Sequence, residues 1–422
     1  MTTCRLLGFL LLAAACSGTS TAGDAGAAGD ASAKGDAGTT GGPTYEILVL
    51  DPAAAGEAPL AIAATAEKVG VAYFAEVGAG HELRYVEPGK APQKVASVKL
   101  AYGVSLAFDA QGNPVIGYLG GAPLGTYWTE SDAALATRKG DVWTTQIIAS
   151  KSDDAPASPP LATSDIGDVV GLSPSIAIGA ANKLFFAWRD IHGGQFPVQD
   201  FQHSDLELAE GTLGGALSKK VAVLGGNSTV GHGGFNSLVL RGLEPAIAYS
   251  AQPSSAIEEP HDVWFTQRAS GKFTLPVRLA SVGDTRSGPS LATDGVNLGI
   301  AYEDRAAGIM SFLESADGVT WQPPDPVHGT GTGGFFPSLA YDPDSKSPVI
   351  AYYVCSTKPA AQICPADEDE LRLAIRRADG EWARTTLDAE GAYYPRLTFG
   401  GSRLVVAYKD VARTQLKLVR QK

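Results

Sequence analysis

Aromatic, basic, acidic and imidazole side chains recur in the polar segments that separate the apolar stretches of this 422-residue chain. Aromatic rings can stack on the apolar faces of sugars, and carboxylates can accept hydrogen bonds from sugar hydroxyls. The alternative is that these segments are ordinary polar loops whose carboxylates cap turns. The candidate ligand-binding residues are Tyr127, Trp128, Arg189, Asp190, His192, His232, Glu259, His261, Arg286, Glu303, Arg305, Tyr393 and Arg396.

No complete catalytic or cofactor motif accompanies these candidates. Asp190, His192 and His203 could form a metal site, but three such residues in one long loop are more often solvated. His81 lacks the second histidine of a zinc-binding His-Glu-x-x-His helix. The glycine-rich stretch 329–334 has no following P-loop lysine to hold phosphate. The sequence therefore assigns no catalytic residue, and we expect neither a metal nor another cofactor.

A repeated strand pair must position these residues. In each copy, a short strand containing Ser-Leu-Ala or a variant is followed by a tight turn and a second strand that ends in a small residue and an aromatic. The spacing of the aromatics ranges from 45 residues (Tyr73 to Tyr118) to 70 residues (Tyr118 to Trp188). Large rings beside small residues are typical of packed sheets, so we interpret them as core. The seven aromatics are Tyr73, Tyr118, Trp188, Tyr249, Tyr302, Tyr352 and Tyr408.

Two further strands follow in most copies, and four strands per unit at this spacing are typical of propeller blades. The last copy lacks its fourth strand, whereas residues 45–50 form an orphan strand before the first copy. Pairing the two would leave no bare sheet edge. We therefore predict an all-β, seven-bladed β-propeller of four-stranded antiparallel blades, closed by strand 45–50. The long interval 150–172 leaves room for an irregular extra blade.

The N-terminus has the order of a signal peptide. Arg5 provides a positive charge, Leu6 to Ala15 form an apolar run too short to span a bilayer, and small residues precede Cys16. The string Leu-Leu-Leu-Ala-Ala-Ala-Cys resembles a bacterial lipobox. This resemblance implies that residues 1–15 are removed, that Cys16 is acylated, for example with palmitate, and that Ser17 directs the protein to the outer membrane of a Gram-negative cell. The alternative is an ordinary signal peptide.

The composition of the remaining chain limits its domain organisation and its partners. Residues 16–43 are mostly Gly, Ala, Ser, Thr and Asp, a composition that cannot form a core, so we expect a flexible tether and a single domain over 44–422. The net charge of −12 excludes nucleic acid as a plausible partner. We expect a monomer bound to the membrane through its lipid. In an exported protein, Cys355 and Cys364 are expected to form a disulfide.

One segment carries a family resemblance. The run from Ser315 to Trp321, Ser-Ala-Asp-Gly-Val-Thr-Trp, resembles the Asp-box of sialidase-like (BNR) propellers, one residue shorter, and 378–382 is a weaker copy. The resemblance implies a folding turn between the third and fourth strands of a blade. Sialidases also use an arginine triad, and residues 394–397 resemble the motif that carries it only distantly.

Three functions fit this sequence. We favour a non-catalytic module of the cell envelope that binds a glycan or a protein through the loop face of its propeller. The second is a carbohydrate-active enzyme of sialidase-like or lyase type. The third is a scaffold subunit of an envelope assembly.

Overall fold

The computed structural model describes residues 43–422 with gaps, and Pro43–Lys422 form one compact unit. The gaps are residues 57, 99, 122–130, 151–168, 192–193, 196–197, 200–203, 224, 226–229, 253–260, 284–287, 305–308, 329–332, 356–368, 392 and 411. The predicted signal peptide, Cys16 and the tether to residue 42 lie outside the described residues, as does most of the interval 150–172. Cys364 lies outside them too, and the side chain of Cys355 is not described.

The described strands form seven antiparallel blades. Blade one contains β2 (Leu60–Ala64), β3 (Val69–Val77), β4 (Gly80–Val86) and β5 (Gln93–Val98). Blade two contains β6 (Val104–Phe108), β7 (Pro114–Gly121), β8 (Ser131–Lys139) and β9 (Val142–Ala149). Blade three contains β10 (Val169–Ile178), β11 (Lys183–Ile191), β14 (Ser204–Thr212) and β15 (Leu217–Val223), with a small hairpin of β12 (Gly194–Gln195) and β13 (Val198–Gln199) between β11 and β14. A short 3-10 helix, Ala180–Asn182, joins β10 to β11.

Blade four contains β16 (Gly231–Arg241), β17 (Glu244–Gln252), β18 (His261–Ala269) and an outer strand in two pieces, β19 (Lys272–Phe273) and β20 (Val277–Gly283). Blade five contains β21 (Ser290–Thr293), β22 (Leu298–Asp304), β23 (Ile309–Ser315) and the short β24 (Asp325–Pro326). Blade six contains β25 (Gly333–Tyr341), β26 (Pro348–Cys355), β27 (Asp369–Arg376) and β28 (Trp382–Asp388). The prediction of seven four-stranded blades is confirmed. In the part of the chain that is described, no helix is long and apolar enough to cross a membrane.

Blade seven combines the two ends of the described chain. It contains β29 (Tyr393–Gly400), β30 (Arg403–Lys409), β31 (Leu416–Gln421) and, as its outermost strand, β1 (Tyr45–Asp51). Strand β1 runs antiparallel to β31, with Tyr45 opposite Gln421 and Leu48 opposite Leu418.

The second strand of each blade supplies the core. The seven repeated aromatics are all buried, from fully buried Tyr73 and Trp188 to Tyr118, which is 5% exposed. The interpretation of these rings as core is therefore confirmed. They pack between neighbouring sheets, where large apolar surfaces contribute most to stability.

The serine of the Ser-Leu-Ala repeat joins neighbouring blades. The first strands contact one another around the ring, and a backbone N–H of one donates to a serine hydroxyl of the preceding blade. Because the serine stands at the same position in each strand, the bonds form a repeated series around the central channel. The five bonds run from Ile176 to Ser105 (3.0 Å), Leu238 to Ser175 (3.0 Å), Leu291 to Ser237 (3.1 Å), Leu339 to Ser290 (2.9 Å) and Leu397 to Ser338 (2.8 Å).

The Asp-box-like segment forms the expected turn between β23 and β24. One carboxylate oxygen of Asp317 accepts hydrogen bonds from the backbone N–H groups of Val319 and Thr320, both at 2.7 Å. These bonds lower the pKa of Asp317 to about 2. The Ser315 hydroxyl donates to the Thr320 carbonyl at 2.6 Å. Trp321 packs against Phe265 of blade four with ring centroids 5.0 Å apart, so the turn has a structural role.

Candidate functional site

Four first strands are distorted at the same point, near the face on which the first strands begin and the second strands end. Strands β10, β16, β25 and β29 each change register there. In each, the residue two positions before the serine of the repeat, or before Arg396 in β29, has a left-handed backbone, which bulky side chains rarely adopt. These residues are Ser173 (φ 51°), Phe235 (φ 44°), Phe336 (φ 52°) and Tyr394 (φ 54°).

Such strain costs about 1–3 kcal/mol per residue and persists only where the surroundings enforce it; it is enriched at binding sites. β-Bulges are likewise over-represented beside active sites. Three of the four strained residues are aromatic, and Phe235 and Tyr394 are half-buried. We refer to Ser173, Phe235, Phe336 and Tyr394 as the bulge residues; they mark one mouth of the channel.

Neighbouring rings support the bulge residues. Phe235 faces His261 at the start of β18, with ring centroids 6.2 Å apart and planes inclined by 32°. Phe336 of blade six lies 4.5 Å from Tyr394 of blade seven, and Tyr394 contacts Tyr393 edge-on at 5.0 Å. The mouth is thus bordered by two aromatic groups, one in blade four and one between blades six and seven.

A buried arginine lies beside the first group. Arg189, at the end of β11, donates from Nε to Ser204 Oγ (2.9 Å) and from Nη2 to Gln252 Oε1 (3.4 Å). The Ser204 hydroxyl in turn donates to the His232 carbonyl (2.9 Å), which links blades three and four. Burial lowers the pKa of Arg189 to about 9, so the guanidinium is still charged at neutral pH. This region therefore holds a cation in a fixed orientation within a desolvated site.

His232 supports the core aromatic of blade four. Its Nδ1 lies 3.0 Å from the Tyr249 hydroxyl, and its ring meets Trp264 edge-on at 5.4 Å. Burial lowers the pKa of His232 to about 4, which leaves the imidazole neutral at pH 7. His328 stands in the same relation to Tyr352, at 3.3 Å, and its pKa is lowered to about 4 for the same reason. Both imidazoles therefore act as neutral hydrogen-bonding partners of core tyrosines.

Several candidate residues lie in strands rather than in loops. Arg189 and Asp190 end β11 and His261 begins β18, whereas the sequence placed all three in long loops. Polar residues at the strand ends interrupt the apolar pattern by which strands are recognised in the sequence. The strand pairing nevertheless continues through them, with Asp190 opposite Asp205. The expected loop positions were wrong for these three residues, because their side chains are buried within the blades.

The structure groups some candidates and separates others. Arg189 and His232 are linked through Ser204, and His261 lies near Phe235 of the same blade. Glu303 is buried in β22 of blade five, while Tyr393 and Arg396 belong to β29 on another side of the ring. The candidates that lie outside the described residues are Tyr127, Trp128, His192, Glu259, Arg286 and Arg305.

The sequence analysis did not identify three of the four bulge residues. It noted Tyr394 only within residues 394–397, which distantly resemble a sialidase motif. Their signal is a residue followed by proline or asparagine and then by the serine of the repeat, as in Phe336-Pro337-Ser338 and Phe235-Asn236-Ser237. This tripeptide precedes a strand that otherwise matches the repeat. Among the described residues, no group of three or more His, Cys, Asp or Glu side chains could hold a metal ion.

A groove of about 470 Å³ lies near the opposite face, between blades four and five. Arg241, in its lining, donates to the carbonyls of Val296 (3.2 Å) and Asp317 (3.0 Å). Gln267 donates to the same Asp317 carbonyl at 2.9 Å. These polar groups hold the Asp-box-like turn of the next blade, so the groove reflects packing between blades.

Comparison with known proteins gives structural similarity alone. No protein-family model matches the chain, and no curated protein sequence matches it. The BP39L lectin from Burkholderia pseudomallei is similar over 86% of this chain and 95% of its own, with 13% identity and a TM-score of 0.51. An α-L-arabinanase from Penicillium chrysogenum is similar over 90% and 99%, with 11% identity and a TM-score of 0.50.

A Hadza microbial sialidase, Hz136, is similar over 82% of this chain and 74% of its own, with 14% identity and a TM-score of 0.48. That score is too low to support an argument. For the lectin and the arabinanase, identities this low show a common fold and nothing about activity. The chain therefore shares the β-propeller fold of these proteins.

Proposed function

We propose that the channel mouth bordered by the bulge residues binds a glycan and leaves it chemically unchanged. The observation that carries this proposal is the left-handed backbone of Phe235, Phe336 and Tyr394 at one position of three first strands. Strain in Phe235 and Tyr394, which are only half-buried, supports a role beyond packing, whereas Phe336 is 2% exposed and supports the Tyr394 ring from the core. Half-exposed aromatic rings at the mouth of the channel suit binding of the apolar face of a sugar.

The surrounding polar groups suit the same ligand class. Arg189, Gln252 and His261 are at most 5% exposed, so they provide a rigid polar floor beneath Phe235. Sugar hydroxyls both donate and accept hydrogen bonds, and a floor that contains a cation, an amide and an imidazole offers partners of both kinds. Rigid partners also lower the entropic cost of binding.

The test is a glycan array probed with the chain expressed with Cys16→Ser, followed by calorimetry on the best sugar. Tyr394→Ala should weaken binding at least tenfold, because one stacking ring is lost. Phe399→Ala is the matched control, since Phe399 is a half-buried aromatic at the opposite end of β29, and it should leave binding unchanged.

An empty array, or equal affinities in the two variants, would contradict glycan binding at this mouth. A blank array with capture of an envelope protein would favour a protein ligand or a scaffold role. Release of a product from the bound glycan would show that the protein is an enzyme rather than a binding module.

We also propose that the propeller is lipid-anchored in the outer membrane through Cys16, with residues 16–43 as a tether and with Cys355 and Cys364 in a disulfide. The support is the lipobox-like string before Cys16 and the lack of core-forming residues in the segment that follows. Cells grown with labelled palmitate should incorporate the label into the wild-type chain but not into Cys16→Ser. Label in both would contradict acylation at this cysteine.

A further inference from the structure

The series of serine bonds around the channel stops at blades seven and one. At the serine position, β29 of blade seven has Arg396, opposite Ala407, and β2 of blade one has Ala61, opposite Ala72. The next residues, Leu397 and Ile62, are aliphatic, like the residue that follows serine in the repeat. The substitution is therefore confined to the side chain that should accept the hydrogen bond.

The break changes the chemistry of the channel wall. In blades three to seven, the N–H after the serine position donates to the preceding blade's hydroxyl. In the same register, the N–H of Ile62 lies across from Arg396 and that of Leu106 lies across from Ala61, because β2 packs between β29 and β6. Neither an arginine nor an alanine side chain has an acceptor atom. At the junction of blades seven and one, a guanidinium and a backbone amide thus stand where the repeat normally pairs an amide with a hydroxyl.

Arg396 adds a charge to these donors. Its side chain is half-buried, and its Nη1 donates to the neighbouring Pro395 carbonyl at 3.0 Å. Burial lowers the pKa of Arg396, with a small opposing effect from Tyr394. No carboxylate among the described residues forms an ion pair with it. A guanidinium surrounded by protein and lacking a counter-charge attracts anions more strongly than one in bulk water.

We propose that the break between blades seven and one is a binding site for a small oxyanion, with the Arg396 guanidinium and the Ile62 amide as donors. Guanidinium matches the planar pair of oxygens of a carboxylate or phosphate through two parallel hydrogen bonds. The anion replaces the missing serine acceptors and neutralises the cation. It thereby joins the first and last blades at the point where the ring closes. This site is independent of the glycan proposed above.

The experiment measures thermal unfolding of the Cys16→Ser chain across a titration of inorganic phosphate at constant ionic strength. A specific site raises Tm along a saturating curve, because a ligand that binds only the folded state stabilises it. Acetate in a parallel titration distinguishes a preference for carboxylate from one for phosphate by the lower half-saturating concentration. Calorimetry with the preferred anion should give one site per chain.

Arg396→Ser restores the acceptor of the repeat and should abolish the saturable response, while leaving the Tm without added anion equal to or above that of the wild type. Should this variant not fold, Arg396→Gln provides the same test. Arg403→Ser is the control, because Arg403 is an exposed arginine of the same blade, and it should retain the wild-type curve. A wild-type chain with no saturable response, or an unchanged response in Arg396→Ser, would overturn the proposal. Loss of glycan binding has no bearing on this outcome.

Discussion

Two histidines show how a single buried side chain can set the response of the fold to acid. His232 and His328 are each 6% exposed and are bonded to Tyr249 and Tyr352 of the second strands. Burial lowers the pKa of both to about 4, whereas an unfolded chain has histidine near 6.5. Both groups are neutral at pH 7 in either state, so their effect is absent there. As the pH falls below about 7, only the unfolded state takes up these protons.

We therefore expect stability to decrease between about pH 7 and pH 4, by up to about 3 kcal/mol for each histidine, and the loss to level off below pH 4. Urea unfolding at several pH values in this range would measure the loss of stability. His232→Gln and His328→Gln should each flatten the profile, although each also lowers stability at pH 7 by removing a tyrosine partner. A slope equal to that of the wild type in both variants would refute the assignment.

At the scale of the element, the first strand of each blade has two tasks. Its later half forms the ladder and the serine bond to the neighbouring blade, as in Ser338 and Leu397. Its first residues, in four blades, bulge at the channel mouth. The Ser-Leu-Ala part could be recognised in the sequence because it repeats. The bulges were not located, because the rings that pack against them come from distant positions in the sequence, as His261 does for Phe235 and Tyr394 does for Phe336.

The serine bond makes a prediction at this scale. Ser338→Ala leaves the buried N–H of Leu397 without its 2.8 Å acceptor and should destabilise the fold by about 1–2 kcal/mol. Denaturant unfolding compares it with Ser402→Ala, which alters an exposed turn of blade seven and should have almost no effect. Equal stabilities of the two variants would show that the bond between blades six and seven contributes nothing.

At the scale of the whole molecule, the first and last blades are tied together. Strand β1 completes the sheet of the last three strands. The buried Lys409 ammonium also donates to the carbonyls of Ala54 (2.7 Å), Gly56 (2.8 Å) and Phe74 (2.9 Å), and so joins blade seven to blade one. Strand β1 thus covers the edge that β31 would otherwise expose, and Lys409 connects the two blades where the ring closes.

Deletion of residues 45–50 should therefore cause a large loss of stability, more than about 4 kcal/mol, because it exposes β31 and removes an outer strand from a packed sheet. Calorimetric Tm measurements would detect it. Deletion of residues 17–40, which lie in the predicted tether, is the control and should leave Tm unchanged. A chain that melts at the wild-type temperature without 45–50 would contradict ring closure by this strand.

The sequence by itself determined the repeat, the number of blades and the core aromatics, because each blade encodes the same local pattern of strands, turns and Ala-Tyr pairs. It also indicated the Asp-box-like turn, whose hydrogen bonds join residues within one short segment. Tertiary structure alone decided which polar residues meet. The link from Arg189 to His232, and the position of Arg396 opposite Ile62, join residues of different blades. Such contacts depend on how neighbouring sheets pack, and no local pattern records that arrangement.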